Sequence, residues 1–256
     1  MHRLIPITLG TVRGPGTARI YLGLFSFLLW PVLASIPQGT EFHRFEHNGR
    51  VIEYVLVLPD HFDKSVPYPV LLALPPGDQS RQQVENGLRL YYEPEAKKRG
   101  WVVISPAAPA GQNFYSGAET ELPALLDDVS NTVQFEAGKA HVAGFSNGGR
   151  SAYRVITSYP ERFFSLTVFP GIPPDERATE ALSKLKDIPV AAFVGGQDED
   201  WVRESRETKK KLDKVGVKNT LEVVPGEGHV MRLDPTRLFD LLDRRRPKGS
   251  KRSKTN

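Results

Sequence analysis

The sequence predicts an α/β protein built on a mostly parallel sheet with helices on both faces. Three observations carry that prediction. Short apolar runs such as Tyr68–Leu74 and Ile188–Gly196 are hydrophobic throughout, as strands covered on both faces must be. Segments with helical spacing separate them. Composition is ordinary for a globular chain of 256 residues, at 39% hydrophobic and 25% charged, which excludes a wholly disordered or collagen-like chain.

The elements follow in order. His47-Asn48-Gly49 sits between two alternating runs within residues 42–59, and Asn-Gly there signals a β-hairpin. The strand at 68–74 is followed by the loop Pro75-Pro76-Gly77-Asp78-Gln79-Ser80. A helical stretch through Leu88–Gly100 leads to a strand at 101–106. After a loop containing Phe114 and Tyr115, residues 121–135 read as a helix, with Leu122, Leu125, Leu126 and Val129 on one face. A strand at 139–146 runs into a helix stopped by Pro160. Strands at 164–171, 188–196 and 219–226 alternate with helices around 178–186, 200–216 and 238–246. No fixed-period repeat and no linker divides residues 40–243, so they are expected to form one domain.

The two ends differ from this body. Residues 1–36 carry three basic residues and no acidic one, and residues 244–256 carry seven and none, leaving the body with 24 basic and 30 acidic residues. A nucleic-acid binder should place its positive charge on a folded face, so that class is not expected. The uncharged apolar run Ile20–Ala34, with Val32 and Ala34 suited to signal peptidase, is expected to export the chain or, uncleaved, to anchor it. The basic tail at 244–256 is expected to be disordered and to contact anionic surfaces weakly. With no cysteine, disulfide, Cys-ligated metal and thiol chemistry are excluded. The histidines lack metal-ligand spacing, no dinucleotide fingerprint is present, and no cofactor or metal is expected. Nothing points to a particular oligomeric state.

The strongest local signal is Gly144-Phe145-Ser146-Asn147-Gly148-Gly149, which matches G-x-S-x-G at a strand-to-helix junction. The sharp turn there strains the serine backbone and lifts its Oγ above the sheet edge, beside the N–H groups of a helix N-terminus. A nucleophilic serine needs a base, and the base needs an orienting acid. Asp198 lies just beyond the strand at 188–196 and His229 just beyond that at 219–226, both where active groups collect in open α/β sheets. His2, His43, His47, His61 and His141 fit the base role less well by position, and Glu199 and Asp200 compete with Asp198 for the acid role. Asp127 and Asp128 lie on a helix and read as solvated.

With these three residues in the order Ser146, Asp198, His229, the chain resembles the α/β-hydrolase superfamily over residues 42–243. It looks most similar to compact secreted esterases related to polyhydroxybutyrate depolymerases and feruloyl esterases. The resemblance implies an eight-stranded, mostly parallel sheet without a large cap domain. It also implies cofactor-free hydrolysis of small or polymeric esters through an acyl-enzyme. By position, the backbone N–H groups of Asn147 and Asp78 would form the oxyanion hole, with Gln79 close behind. Many relatives carry His-Gly where this chain has Pro76-Gly77, so a bracing side chain is expected to be missing. Tyr115 and Trp201, with Phe114, are candidates to line the substrate pocket. Two competing readings use the same residues: a serine peptidase of the prolyl-oligopeptidase type, and a hydrolase-like fold retained for binding.

Overall fold

The computed structural model describes residues 41–247. The apolar run 20–34 and residues 248–256 of the basic tail lie outside the described residues. Within them one eight-stranded sheet forms, in the spatial order β1-β2-β4-β3-β5-β6-β7-β8. The strands are β1 (His43–His47), β2 (Arg50–Val57), β3 (Val70–Leu74), β4 (Val102–Ala107), β5 (Ala140–Gly144), β6 (Phe163–Val168), β7 (Val190–Gly195) and β8 (Asn219–Val224). β2 runs antiparallel to both β1 and β4, and every later pairing is parallel. This is the expected α/β architecture, with the hairpin at one edge.

The hairpin forms where the sequence placed it. Asn48 and Gly49 both take positive φ, 50° and 72°, as a two-residue turn matching the strand twist requires. Six α-helices connect the strands and a seventh follows β8 in the described residues: α1 (Arg81–Gly87), α2 (Glu93–Arg99), α3 (Leu122–Ser130), α4 (Asn147–Ser158), α5 (Glu176–Glu180), α6 (Glu199–Lys214) and, last, α7 (Pro235–Asp243). A wider π-turn at Leu88–Tyr92 joins α1 to α2. Pro94 has no N–H to return to Leu90, so a regular α-helical ladder cannot continue through this point.

The period-two geometry of the central strands sends alternate side chains into two cores. Leu71 and Ala73 of β3 join Val84, Leu88, Ala96, Leu238 and Phe239 beneath α1, α2 and α7. Val70, Leu72 and Leu74 join Leu125, Ile156, Leu185 and Leu212 on the face covered by α3, α4 and α6. All five β3 side chains are buried, which explains its unbroken apolar run. No cap domain interrupts the described residues.

One expectation is corrected at the C-terminal boundary. The first residues of the basic tail fold back onto the sheet instead of dangling in solvent. Arg245 donates to the carbonyl of Leu166 at 3.1 Å, and burial pushes its pKa down to about 10. Arg246 forms a bidentate ion pair with Glu136, a carboxylate only 5% exposed, its Nε donating at 3.0 Å. Charge density alone reads as a solvated tail; the buried acid that receives it is 110 residues away in sequence.

Candidate active site

Ser146 stands between the end of β5 and the first turn of α4. Its backbone sits at φ 56°, ψ −116°, a sparsely populated region for any residue with a side chain. Surrounding bonds hold it there: Ser146 N–H donates to Pro170 O at 2.9 Å, and Phe169 N–H donates to Gly144 O at 3.1 Å. The glycines of the turn are steric necessities. A Cβ on Gly144 would lie 2.1 Å from the Gly148 carbonyl, and one on Gly148 would lie 2.1 Å from the Leu74 carbonyl. Strand and helix therefore approach more closely than any other residue allows.

Asp198 follows β7 directly and precedes α6, and His229 lies in the loop between β8 and α7. The fold brings all three together. Ser146 Oγ lies 2.8 Å from His229 Nε2, and His229 Nδ1 lies 2.6 Å from Asp198 Oδ2. The His229 side chain is 38% exposed and that of Asp198 17%, so the carboxylate is the sheltered end of the relay and the serine end opens to solvent. The competitors fall away. Asp200 is taken by Arg203 at 2.7 Å. His141 is buried at the start of β5, hydrogen-bonded to Ser165 Oγ at 2.7 Å. Burial, then Arg245 and Arg246, drive its pKa down to about 3.

The histidine loop is held from beneath. Tyr91, on the π-turn, donates its hydroxyl to Met231 O at 3.0 Å. Its ring lies edge-on to Phe145 and Phe169, at 5.8 and 5.1 Å between centroids. The backbone two residues past His229 is thereby tied to the residue just before Ser146 through one aromatic cluster.

The loop after β3 faces the start of α4. Asn147 Nδ2 donates to Gly77 O at 2.8 Å, which clamps the two segments expected to supply oxyanion donors. Among the described residues, the backbone N–H groups of Asn147 and Asp78 donate to no backbone carbonyl. The Gln79 N–H donates to Pro76 O at 2.9 Å and is spent in the turn. The Asp78 carboxylate accepts from Ser80 N–H at 3.1 Å, and the Ser80 hydroxyl together with that N–H lowers its pKa.

The brace expected to be missing at Pro76 is supplied by Gln79, whose role the sequence did not reveal. Its side chain is fully buried. Nε2 donates to Pro75 O at 3.0 Å and to Ser151 Oγ at 2.9 Å, while Oε1 accepts from Phe114 N–H at 2.8 Å. One amide thus ties the β3 loop to α4 and to the loop after β4. The only local signal in the sequence is a polar residue two positions after Gly77; its positive φ, 58°, is seen only in the structure.

The pocket candidates separate. The Trp201 ring lies 5.3 Å from that of His229, beside the relay. Tyr115 is half-buried, and its backbone carbonyl accepts from Arg154 Nε of α4 at 3.3 Å. Phe114 is wholly buried in one of the two hydrophobic cores. Among the described residues, no group of three or more His, Cys, Asp or Glu side chains could hold a metal ion.

No protein-family model matches the chain. It is 26% identical over 166 residues to feruloyl esterase B of Thermothelomyces thermophilus, covering 60% of this chain and 55% of that one. The chain spans about half the length of the curated relatives it matches. Among solved structures, a thermostable esterase superposes with a TM-score of 0.67 at 18% identity, over 81% of this chain and 63% of that one. Dipeptidyl peptidase 4 of Porphyromonas gingivalis superposes with a TM-score of 0.64 at 15% identity, over 80% of this chain and 35% of that one. The chain has the α/β-hydrolase fold, and in sequence it resembles the esterases that share it.

Proposed function

We propose that the protein is a carboxylic ester hydrolase acting through an acyl-enzyme. The observation that carries this reading is the unbroken hydrogen-bond relay from Ser146 Oγ through His229 to Asp198. The feruloyl esterase among its sequence relatives supports the choice of ester over amide.

In this reading His229 Nε2 takes the proton of Ser146 as Oγ bonds to the acyl carbon. The carbonyl oxygen becomes an oxyanion, held by the backbone N–H groups of Asn147 and Asp78. The bond to the alcohol oxygen then breaks, and His229 gives its proton to the departing alcohol. Water attacks the acyl group with His229 again as base, releasing a carboxylic acid and restoring Ser146. Asp198 keeps the imidazole oriented and balances its charge when protonated. Export through the apolar run 20–34 belongs to the same proposal and fits an enzyme for extracellular esters.

A fluorophosphonate probe tests the nucleophile. Labelling of the wild type and its loss in Ser146→Ala are expected; an unlabelled wild type or undiminished labelling of the variant overturns the reading. Turnover of p-nitrophenyl and hydroxycinnamoyl esters, against peptide anilides, tests the substrate class. Faster anilide cleavage would replace the esterase by the peptidase reading.

A further inference from the structure

Arg150 lies one helical turn beyond Ser146, its backbone N–H donating to Ser146 O at 3.1 Å, so both residues share one face of α4. Its guanidinium carbon stands 5.3 Å from the centre of the Trp201 ring. The His229 ring stands 5.3 Å from that same ring centre. Indole, imidazole and guanidinium therefore form one continuous wall beside the relay. Among the described residues, Arg150 makes no side-chain hydrogen bond and no ion pair, and its Nε is shut off from water with no partner. The carboxylates at the start of α6 are engaged elsewhere: Asp198 by His229, Asp200 by Arg203, while Glu199 lines the separate groove between α6 and β8.

By contrast Arg154, one turn further along α4, is paired with Asp175 and Glu119. The two terminal nitrogens of Arg150 are not shut off from water and make no hydrogen bond among the described residues, so an incoming carboxylate can bridge them. Its planar fork is matched to a carboxylate, and stacking on an indole fixes its plane in advance.

We propose that Arg150 is a specificity residue that docks a free carboxylate carried by the substrate, so that the preferred esters are half-esters of dicarboxylic acids or esters of similarly acidic compounds. This rests on the ester hydrolase reading above. Trp201 holds the guanidinium in place and walls the path between it and His229.

The test uses p-nitrophenyl half-esters of succinate, glutarate and adipate, each beside its neutral counterpart in which an amide replaces the free carboxylate. The readout is the ratio of kcat/KM for the two members of a pair. The wild type is expected to prefer the carboxylate member at one chain length by tenfold or more. That preference should shrink as salt is raised, fall at least tenfold in Arg150→Met, and be kept only in part in Arg150→Lys, which retains the charge but not the planar fork. A wild type that hydrolyses both members equally at every length overturns the inference while leaving the ester hydrolase reading intact. So does an unchanged ratio in Arg150→Met. A wild type that hydrolyses neither member, nor any simple ester, overturns the hydrolase reading itself. If Arg150→Met does not fold, the wild-type ratio and its salt dependence decide.

Discussion

Asp198 Oδ2 lies 2.6 Å from Nδ1 of His229, across 31 residues of chain and from a neighbouring strand end. A carboxylate can only accept here, so Nδ1 carries the proton and the lone pair of Nε2 faces the Ser146 hydroxyl. Asp198→Asn would present an amide that can donate to Nδ1 and favours the opposite tautomer. Ester turnover should fall by on the order of 10³–10⁴ in kcat. Thermal stability should change little, since the contact sits at the sheet edge and the amide is isosteric. Steady-state kinetics and a melting curve check both halves of this expectation.

Gln79 should matter to stability and activity together. Gln79→Ala strands the Phe114 N–H and removes partners from Pro75 O and Ser151 Oγ, all in a buried setting. Unsatisfied buried groups cost about 1–3 kcal/mol each, so a loss of about 2–4 kcal/mol is expected. That corresponds to a fall in Tm of about 5–15 °C for a domain of this size. Because the same loop carries the Asp78 N–H, kcat should fall at 25 °C even in the folded fraction. Calorimetry beside kcat/KM separates the two effects.

The glycines at the nucleophile turn should tolerate no side chain. Gly148→Ala puts a methyl against the Leu74 carbonyl, where only backbone movement gives relief. Overpacking of this kind costs about 1–3 kcal/mol or more. It also shifts the helix that carries the Asn147 N–H, so activity should drop well before the protein unfolds. Urea titration and ester turnover on the same preparation check this.

The C-terminal strap makes a further prediction. Removing the Arg246 side chain leaves Glu136 buried without a partner. Breaking a buried pair from one side costs about 3–5 kcal/mol, so Arg246→Met should be strongly destabilised. Pairing it with Glu136→Gln should restore part of that loss. A chain ended after Asp243 should lose at least as much as the single variant, since it also removes the Arg245 bond to Leu166 O. Urea unfolding of the four proteins is the measurement.

His141 sets an acid limit. Its pKa is lowered to about 3 in the folded state, against an ordinary value of about 6.5. The unfolded chain therefore binds this proton and the folded chain does not between those values. Stability falls with pH across that window, by about 1.4 kcal/mol per pH unit at most, and is unaffected above it. From pH 7 to pH 5 the wild type should lose about 2 kcal/mol more than His141→Asn. Urea unfolding at the two pH values gives the difference directly.

What the sequence revealed and what it concealed divide along physical lines. Asn48-Gly49, the apolar run of β3 and the Gly144–Gly148 elbow are local: each residue type is dictated by its own backbone or by burial on both faces, so each was readable. Asp198 and His229 were readable because the parallel sheet puts successive strand ends at one edge, and chain order then limits the candidates. Gln79, Arg150 and Arg246 were not. Their roles lie in contacts across 35 to 110 residues, or in stacking on a ring from another helix. A polar or basic residue reads the same in sequence whether it faces water or a buried partner. Charge density alone placed Arg245 and Arg246 in solvent; the carbonyl of Leu166 and the carboxylate of Glu136 place them on the domain.

The most direct test is turnover of a p-nitrophenyl ester by Ser146→Ala, with circular dichroism confirming that the variant folds. Loss of the hydroxyl should reduce kcat/KM by at least about 10⁴ relative to wild type, since the oxygen that His229 Nε2 meets at 2.8 Å is removed. A folded variant that keeps activity within tenfold of wild type would contradict the account, because ester cleavage would then proceed without the residue at its centre.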